Sequence, residues 1–401
     1  MKKYDVIVYG ATGFTGGRVA AYLASTDDLP PAAWALAGRD LNKLRAVRAK
    51  LAEARPALAD LSLHQASAED PESLADIAVR ARVILTTVGP YERYGKPLVR
   101  ACVEAGTDYV DLTGEPGFWK EIIDEHDAAA QTSGALIVPC CGFDSIPHDV
   151  GAWLVARALR DDATATADPI VVNGYVAAKG APSGGTWNSA LSILKDVPLR
   201  RAKRSGGSGR APGPSGLHFS EDVARWVLPM PTIDPLVVRR SAGLADYGDG
   251  FSYRAWVETG SRAAAIPIVA GVGILALAAK IPAARSFLGS LRPPGSGPSA
   301  VRRADSWFRV KVVGRCGSAT ATATISGGDP GYGETSKMIA ESALCLALDR
   351  DTLPLSGGVV TPAAAMGGHL VARLRQAGLG VTLAGNAADG SAISEAAAAA
   401  S

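Results

Sequence analysis

The sequence predicts an α/β protein: a doubly wound parallel sheet, followed by a second, α+β domain whose sheet is mostly antiparallel. Three observations carry this. The first half alternates short apolar runs with stretches of helical spacing, a glycine-rich string sits between the first run and the first helix, and after about residue 165 the texture changes to alternating strands. Continuous apolar strands separated by helices imply a sheet covered on both faces, whereas apolar–polar alternation implies an antiparallel sheet with one wet face.

The strand candidates of the first half are residues 6–9, 34–37, 83–88, 109–112 and 135–139. Between them, 18–24, 41–54, 71–80, 97–105 and 118–133 have helical spacing. In the second half 170–178, 251–258, 307–313 and 318–325 alternate, and the two glycines within 313–318 read as a hairpin turn. An amphipathic helix is predicted over 334–348, opened by 330–333, and another near 363–376 after Thr361-Pro362. The expected organisation is a first domain over 1–150 and a substrate domain over 165–326. Helices over 330–380 pack back on the first domain, and an alanine-rich tail covers 387–401. The substrate domain carries a basic loop, 200–216, and an apolar segment, 263–279. That segment is uncharged between Arg262 and Lys280. As a helix it is about 26 Å long, short of the roughly 30 Å hydrocarbon core, so it reads as a buried or interfacial helix rather than a span.

Composition narrows the classes. The chain has 401 residues, 47% of them hydrophobic, enough for two cores. A net charge of +2 gives no global electrostatic argument for nucleic acid. The five cysteines form no CxxC pair and no zinc-spaced cluster, so neither a disulfide framework nor a metal is expected. The opening MKKYDVIVYG is too short an apolar run for a signal-peptide core, and the reading is a cytoplasmic protein.

Gly10, Thr12, Gly13, Phe14, Thr15 and Gly16 lie in the string GATGFTG. Such a string needs a tight turn, a backbone close to a pyrophosphate, and a helix packed hard on its strand, with the helix N-terminus facing the phosphate. It predicts dinucleotide binding in a Rossmann-type domain. At the end of the second strand candidate stand Gly38-Arg39-Asp40, with Lys43 one turn on. A carboxylate in this place grips the ribose 2′-hydroxyl of NAD, whereas arginine pairs with a 2′-phosphate, so Arg39 points to NADP(H). Asp40 has two readings, helix cap or ribose contact. The next ligand-facing turn is Val88-Gly89-Pro90, where the backbone can pass close to the cofactor, and Tyr91 and Tyr94 follow it. Gly142-Phe143-Asp144-Ser145-Ile146-Pro147-His148 sets polar groups after an apolar strand: a cleft floor, or the cap of a helix starting near Pro147. Ser183-Gly184-Gly185-Thr186 reads as a helix cap with anion-binding capacity.

Together these segments resemble the saccharopine dehydrogenase-like oxidoreductases, and within them the trans-acting enoyl reductase subfamily most of all. The matching strings are YGATGFTG (9–16), ALAGR (35–39), TTVGPYERYG (86–95), ACVEAGTDYVDLTGE (101–115), CGFDSIPHD (141–149), SGGT (183–186), DPGYGETSKMIAESALCLALDRD (329–351) and GGVVTPAAAMGGHLVARL (357–374). The resemblance implies NADPH-dependent reduction of a carbon–carbon double bond on a lipid or polyketide intermediate, carried on an acyl carrier domain. Such a reaction needs a hydrogen-bond donor for the enolate oxygen and a proton source. Tyr91, Tyr94, Asp144 and His148 are the candidates, with Ser145 beside them. Other readings remain open at this level: a reductase of a ketone or an imine, and a membrane-associated relative without catalysis. The apolar segment and the basic loop also predict peripheral contact with the inner face of the plasma membrane.

Overall fold

The computed structural model describes residues 2–162, 168–180, 191, 194, 216–230, 232–291 and 303–385. The basic loop from Arg200 to Arg210, the Ser183–Thr186 string and the tail beyond 386 fall outside them.

Along the chain, β1 (Tyr4–Tyr9), α1 (Phe14–Ser25), β2 (Trp34–Gly38), α2 (Leu41–Ala54), β3 (Ser62–Gln65) and α3 (Pro71–Arg80) come first. They are followed by β4 (Ala81–Thr86), α4 (Tyr91–Ala105), β5 (Asp108–Val110), α5 (Pro116–Ser133) and β6 (Leu136–Val138). Next are α6 (Ile146–Asp161), β7 (Val171–Lys179), β8 (His218–Ser220), β9 (Arg225–Pro229), α7 (Asp234–Leu244), β10 (Ser252–Glu258), α8 (Arg262–Ala279) and α9 (Pro282–Ser290). The chain continues with β11 (Trp307–Cys316), β12 (Ala319–Gly327), α10 (Gly333–Leu348), β13 (Gly358–Val359), α11 (Pro362–Gln376) and β14 (Gly380–Gly385).

Two compact units result. The first holds 1–146 and 330–378, the second 147–329 and the chain from 379 on. The first is built on a seven-stranded sheet in the order β13-β6-β5-β4-β1-β2-β3. Every pairing in it is parallel. β2 is buried throughout and β4 at every position but Arg82, as apolar runs between two helical layers must be. The order reverses between β1 and β4, and ligands of such sheets bind beyond the carboxyl ends at that point. Polar caps set the helix starts: Asp40 accepts from the backbone N–H of Asn42 and Lys43 at α2, and Asp70 from Ser73 at α3. Gly106 and Gly134, both left-handed, end α4 and α5.

The second unit has a seven-stranded sheet, β14-β12-β11-β7-β10-β9-β8, antiparallel except where β10 runs parallel to β7. In β12 the sequence ATATATI reads directly as structure: Ala319, Ala321, Ala323 and Ile325 are buried, and the threonines between them lie toward the wetter face.

The sequence missed several elements. β3 is half-exposed and β13 is two residues long, so neither shows an apolar run. α4 starts at Tyr91 rather than 97 and carries Pro97 inside it, because the flanking Tyr91, Leu98 and Val99 are buried and hold the turn in place. The apolar segment is a helix, but it is not buried: only 17% of it is covered.

Candidate functional site

The glycine string forms a cradle between β1 and α1. Gly10 has φ +91°, and Gly13 N–H donates to its carbonyl at 2.9 Å. A Cβ on Gly10 would come 2.7 Å from the Val88 side chain, and one on Gly16 would come 2.2 Å from the Gly10 carbonyl oxygen, so no larger residue fits either place. Thr12 and Gly13 are exposed at the rim, and Phe14 and Thr15 are partly so. No side chain caps α1 at Gly13, which leaves the positive end of the helix directed at the cradle. The ring of Phe14 packs edge-on against the buried Tyr332, 4.7 Å between centroids, so the start of α10 braces the loop.

Arg39 is exposed at the end of β2, and Lys43 is exposed on α2. Asp40 caps α2, with its Oδ1 accepting from the N–H groups of Asn42 and Lys43. A shaped glycine turn, an uncapped helix start and a free-standing arginine fit a dinucleotide with a 2′-phosphate. Beyond β4, Val88 lies against Gly10, and Gly89 and Pro90 are exposed.

The four candidate catalytic side chains have different surroundings. The Tyr91 hydroxyl is in the interior, donating to the Thr86 carbonyl at 3.4 Å and accepting from Leu112 N–H at 3.2 Å, and burial holds it well above the usual phenol range. Tyr94, one turn on, is partly exposed, with the Arg93 guanidinium 4.9 Å from its ring centre. Asp144 is exposed in the loop after β6, next to Gly114. His148 lies in the second unit, 2% exposed, with Nδ1 2.5 Å from the Tyr253 hydroxyl; burial lowers its pKa to about 3. It is a neutral interior imidazole, and β7 makes room for the pair at Gly174, where a Cβ would sit 2.1 Å from the tyrosine oxygen. Ser145 is buried, with no hydrogen-bond partner for its hydroxyl.

Sequence reading missed the carboxylates that hold these loops. Glu115 accepts from the backbone N–H of Tyr91 at 3.1 Å and Glu92 at 2.8 Å, capping α4 from a distance. Asp111 accepts from Thr113 N–H, from Cys140 N–H and from the Tyr109 hydroxyl; burial raises its pKa to about 6. It thereby pins Cys140, a non-glycine residue at φ +66°, and so the loop that carries Asp144. Thr335 of α10 accepts from Phe143 N–H at 3.2 Å in the same loop. Asp111 and Glu115 both sit in the string DLTGE, five residues in which two acids follow a strand at a four-residue spacing, the only signal available. Among the described residues no group of acids, histidines or cysteines is placed to hold a metal.

This fold and this cradle define an NADP(H)-dependent oxidoreductase. The model of the saccharopine dehydrogenase NADP binding domain matches residues 6–138. The structure of saccharopine dehydrogenase (L-Glu forming) from Saccharomyces cerevisiae superposes with a TM-score of 0.56, covering 95% of this chain and 99% of that one at 14% identity, a likeness of fold. A Mycobacterium tuberculosis relative whose name carries trans-acting enoyl reductase is 38% identical over 416 residues, 94% of this chain and 97% of its own. The trans-acting enoyl reductase of Mycobacterium ulcerans is 36% identical over 414 residues, 95% of this chain and 98% of its own. The chain belongs to the trans-acting enoyl reductase family.

Proposed function

We propose that this protein uses NADPH to saturate an α,β-unsaturated acyl group of a lipid or polyketide intermediate, presented in trans on an acyl carrier domain. The observation that carries the reading is the similarity to trans-acting enoyl reductases over nearly the whole of both chains. The cofactor, when bound, supplies hydride to the β-carbon. The chain must then hold the carbonyl oxygen as it gains negative charge and deliver a proton to the α-carbon. Tyr94 and Asp144 suit these roles better than Tyr91 and His148, because they are partly and fully exposed whereas the other two are buried. In this reading Tyr94 donates to the enolate oxygen and Asp144 belongs to the proton path. Glu115 and Asp111 are positioning residues that fix the α4 start and the loop after β6. The basic run of Arg200, Arg201, Lys203, Arg204 and Arg210 favours an acidic carrier domain as partner. The same reading puts the enzyme in the cytoplasm, with a peripheral contact at the inner face of the plasma membrane through segment 263–279.

The test incubates the protein with NADPH and a carrier-bound enoyl chain and looks by mass spectrometry for a gain of two hydrogens. Tyr94→Phe should lower turnover about 10²–10³-fold, the usual loss for one oxyanion donor, with NADPH binding retained. An untouched enoyl chain beside a reduced β-keto chain would overturn the reading in favour of ketone reduction.

A further inference from the structure

We propose that α8 and α9 form an apolar wedge that seats the protein on an anionic lipid surface, lying in the interface rather than crossing it. This deepens the peripheral contact proposed above by naming the surface and its lipid, and it is independent of the reaction.

The wedge is inverted relative to a soluble helix. In α8 the residues turned to the protein are the small Ala265, Ala276 and Ala279, all buried. The large ones face out: Ile266 and Ile274 are 66% exposed, and Val269 and Leu277 53%. A helix that packs on its own protein buries its large apolar residues. α9 continues the surface with Phe287, between the equally exposed Ile281 and Leu291. The mean hydropathy of α8 is 2.0, in the range of membrane segments.

Its charge fits one kind of surface. From Thr259 to Ala304 the sequence holds no Asp or Glu, but Arg262, Lys280, Arg285, Arg292, Arg302 and Arg303. Arg262 starts α8 and lies 5.8 Å from the ring centre of Trp226, which in turn meets the half-exposed Phe219 edge-on. Aromatic rings and cations at the end of an apolar helix are what the water–lipid boundary selects. The absence of acids fits an anionic surface, and the outward-facing large apolar side chains between the cations favour a bilayer over an acidic protein groove.

Topology excludes a single crossing. β10 precedes the wedge and β11 follows it, and both pair with β7 in one sheet. One crossing would leave those strands on opposite sides of the bilayer. A second would need about 20 apolar residues. Between α8 and β11 the longest described helix is α9, about 14 Å long. The sequence of 292–302 brings two arginines and three prolines.

The experiment floats the full chain with vesicles of phosphatidylcholine alone and of phosphatidylcholine with phosphatidylglycerol. A fluorophore sensitive to polarity is attached through Ile274→Cys, which labels selectively because the five native cysteines are buried. The expected result is flotation with the anionic vesicles and a blue shift of the label. Ile274→Glu with Leu277→Glu should lower the bound fraction at least tenfold. Replacing Arg262, Lys280 and Arg285 by Gln should erase the preference for phosphatidylglycerol. An unchanged circular dichroism spectrum and unfolding midpoint show that each variant is folded. A wild type that stays in solution, or equal flotation of wild type and the double Glu variant, overturns the proposal. So does a label shift produced by self-association or by carrier protein without lipid, which assigns the face to a second copy or to that partner. The reductase assay on a soluble carrier substrate runs without vesicles, so its failure and this one are separate results.

Discussion

At the scale of single residues, Arg39 and Asp40 divide the work at the end of β2. Asp40 turns back to cap α2, and Arg39 stands exposed at the end of the strand. Two charge-assisted bonds to a 2′-phosphate, less desolvation, should favour NADPH over NADH by about 10²-fold. Titration of both cofactors should show that ratio fall toward one in Arg39→Ala; equal affinities in the wild type would end the assignment. A second pair of residues contributes to the response to pH. Burial lowers His148 to about 3, so the unfolded chain takes up its proton first as pH falls below about 6.5, and stability drops from there down to pH 3. Burial raises Asp234 to about 7, with Thr232 donating to it. Its contribution is whole below about pH 4 and is lost as pH rises through 7, at up to about 1.4 kcal/mol per pH unit. The two slopes oppose each other between about pH 4 and 6.5, so in denaturant unfolding Asp234→Asn should make stability rise more steeply with pH from about 4 to 7, and His148→Gln should remove the loss of stability as pH falls from about 6.5 to 3. Parallel curves for wild type and variants would refute both assignments.

At the scale of elements, Arg350 helps fasten the stretch after α10 to the first sheet. Arg350 donates to the Asp108 carboxylate of β5 at 2.9 Å, and to the carbonyls of Gly134 and Ser356 at 2.8 Å each. Asp108 also accepts from Leu136 N–H at the start of β6. Burial pushes the Asp108 carboxyl up, and the guanidinium draws it back toward the charged form. Arg350→Ala strands that carboxylate in the interior, a change that costs about 3–5 kcal/mol when the survivor is fully buried. Denaturant unfolding should show a loss in this range. A loss under about 1 kcal/mol would mean that the pairing of β13 with β6 and the packing of α11 hold this stretch without the arginine.

At the scale of the whole molecule, the chain leaves the first unit at residue 146, returns to it at 330, and gives its last strand to the second unit. β14 pairs with β12 over six residues, from Ala321–Gly385 to Ser326–Gly380, and closes that edge of the second sheet. A chain ended at Gly378 bares a flat alternating strand, which invites pairing between copies. The truncated protein should aggregate on mild heating, seen by light scattering, while its NADPH affinity stays within about twofold of wild type, since the cradle lies in the first unit. Cofactor binding lost together with solubility would show instead that the two units fold as one.

The sequence by itself determined whatever depends on neighbours along the chain. Helices α2 and α3 run over the predicted residues because aspartates cap them, and the apolar runs of β1, β2 and β4 declare a sheet covered on both faces. The place of the glycine turn and of Arg39 followed from the same local chemistry. Only the tertiary structure decided what lies across from a residue. Tyr91 and Tyr94 are three apart in one string, yet one hydroxyl is sealed against Leu112 and Thr86 while the other side chain reaches solvent. His148 reads as a catalytic histidine until Tyr253, 105 residues away, is set against it in the interior. The apolar helix α8 carries a core composition, and nothing in its sequence says that its large side chains have no core to enter. Burial and hydrogen-bond partners are properties of contacts between distant segments, and those are fixed only when the sheets close.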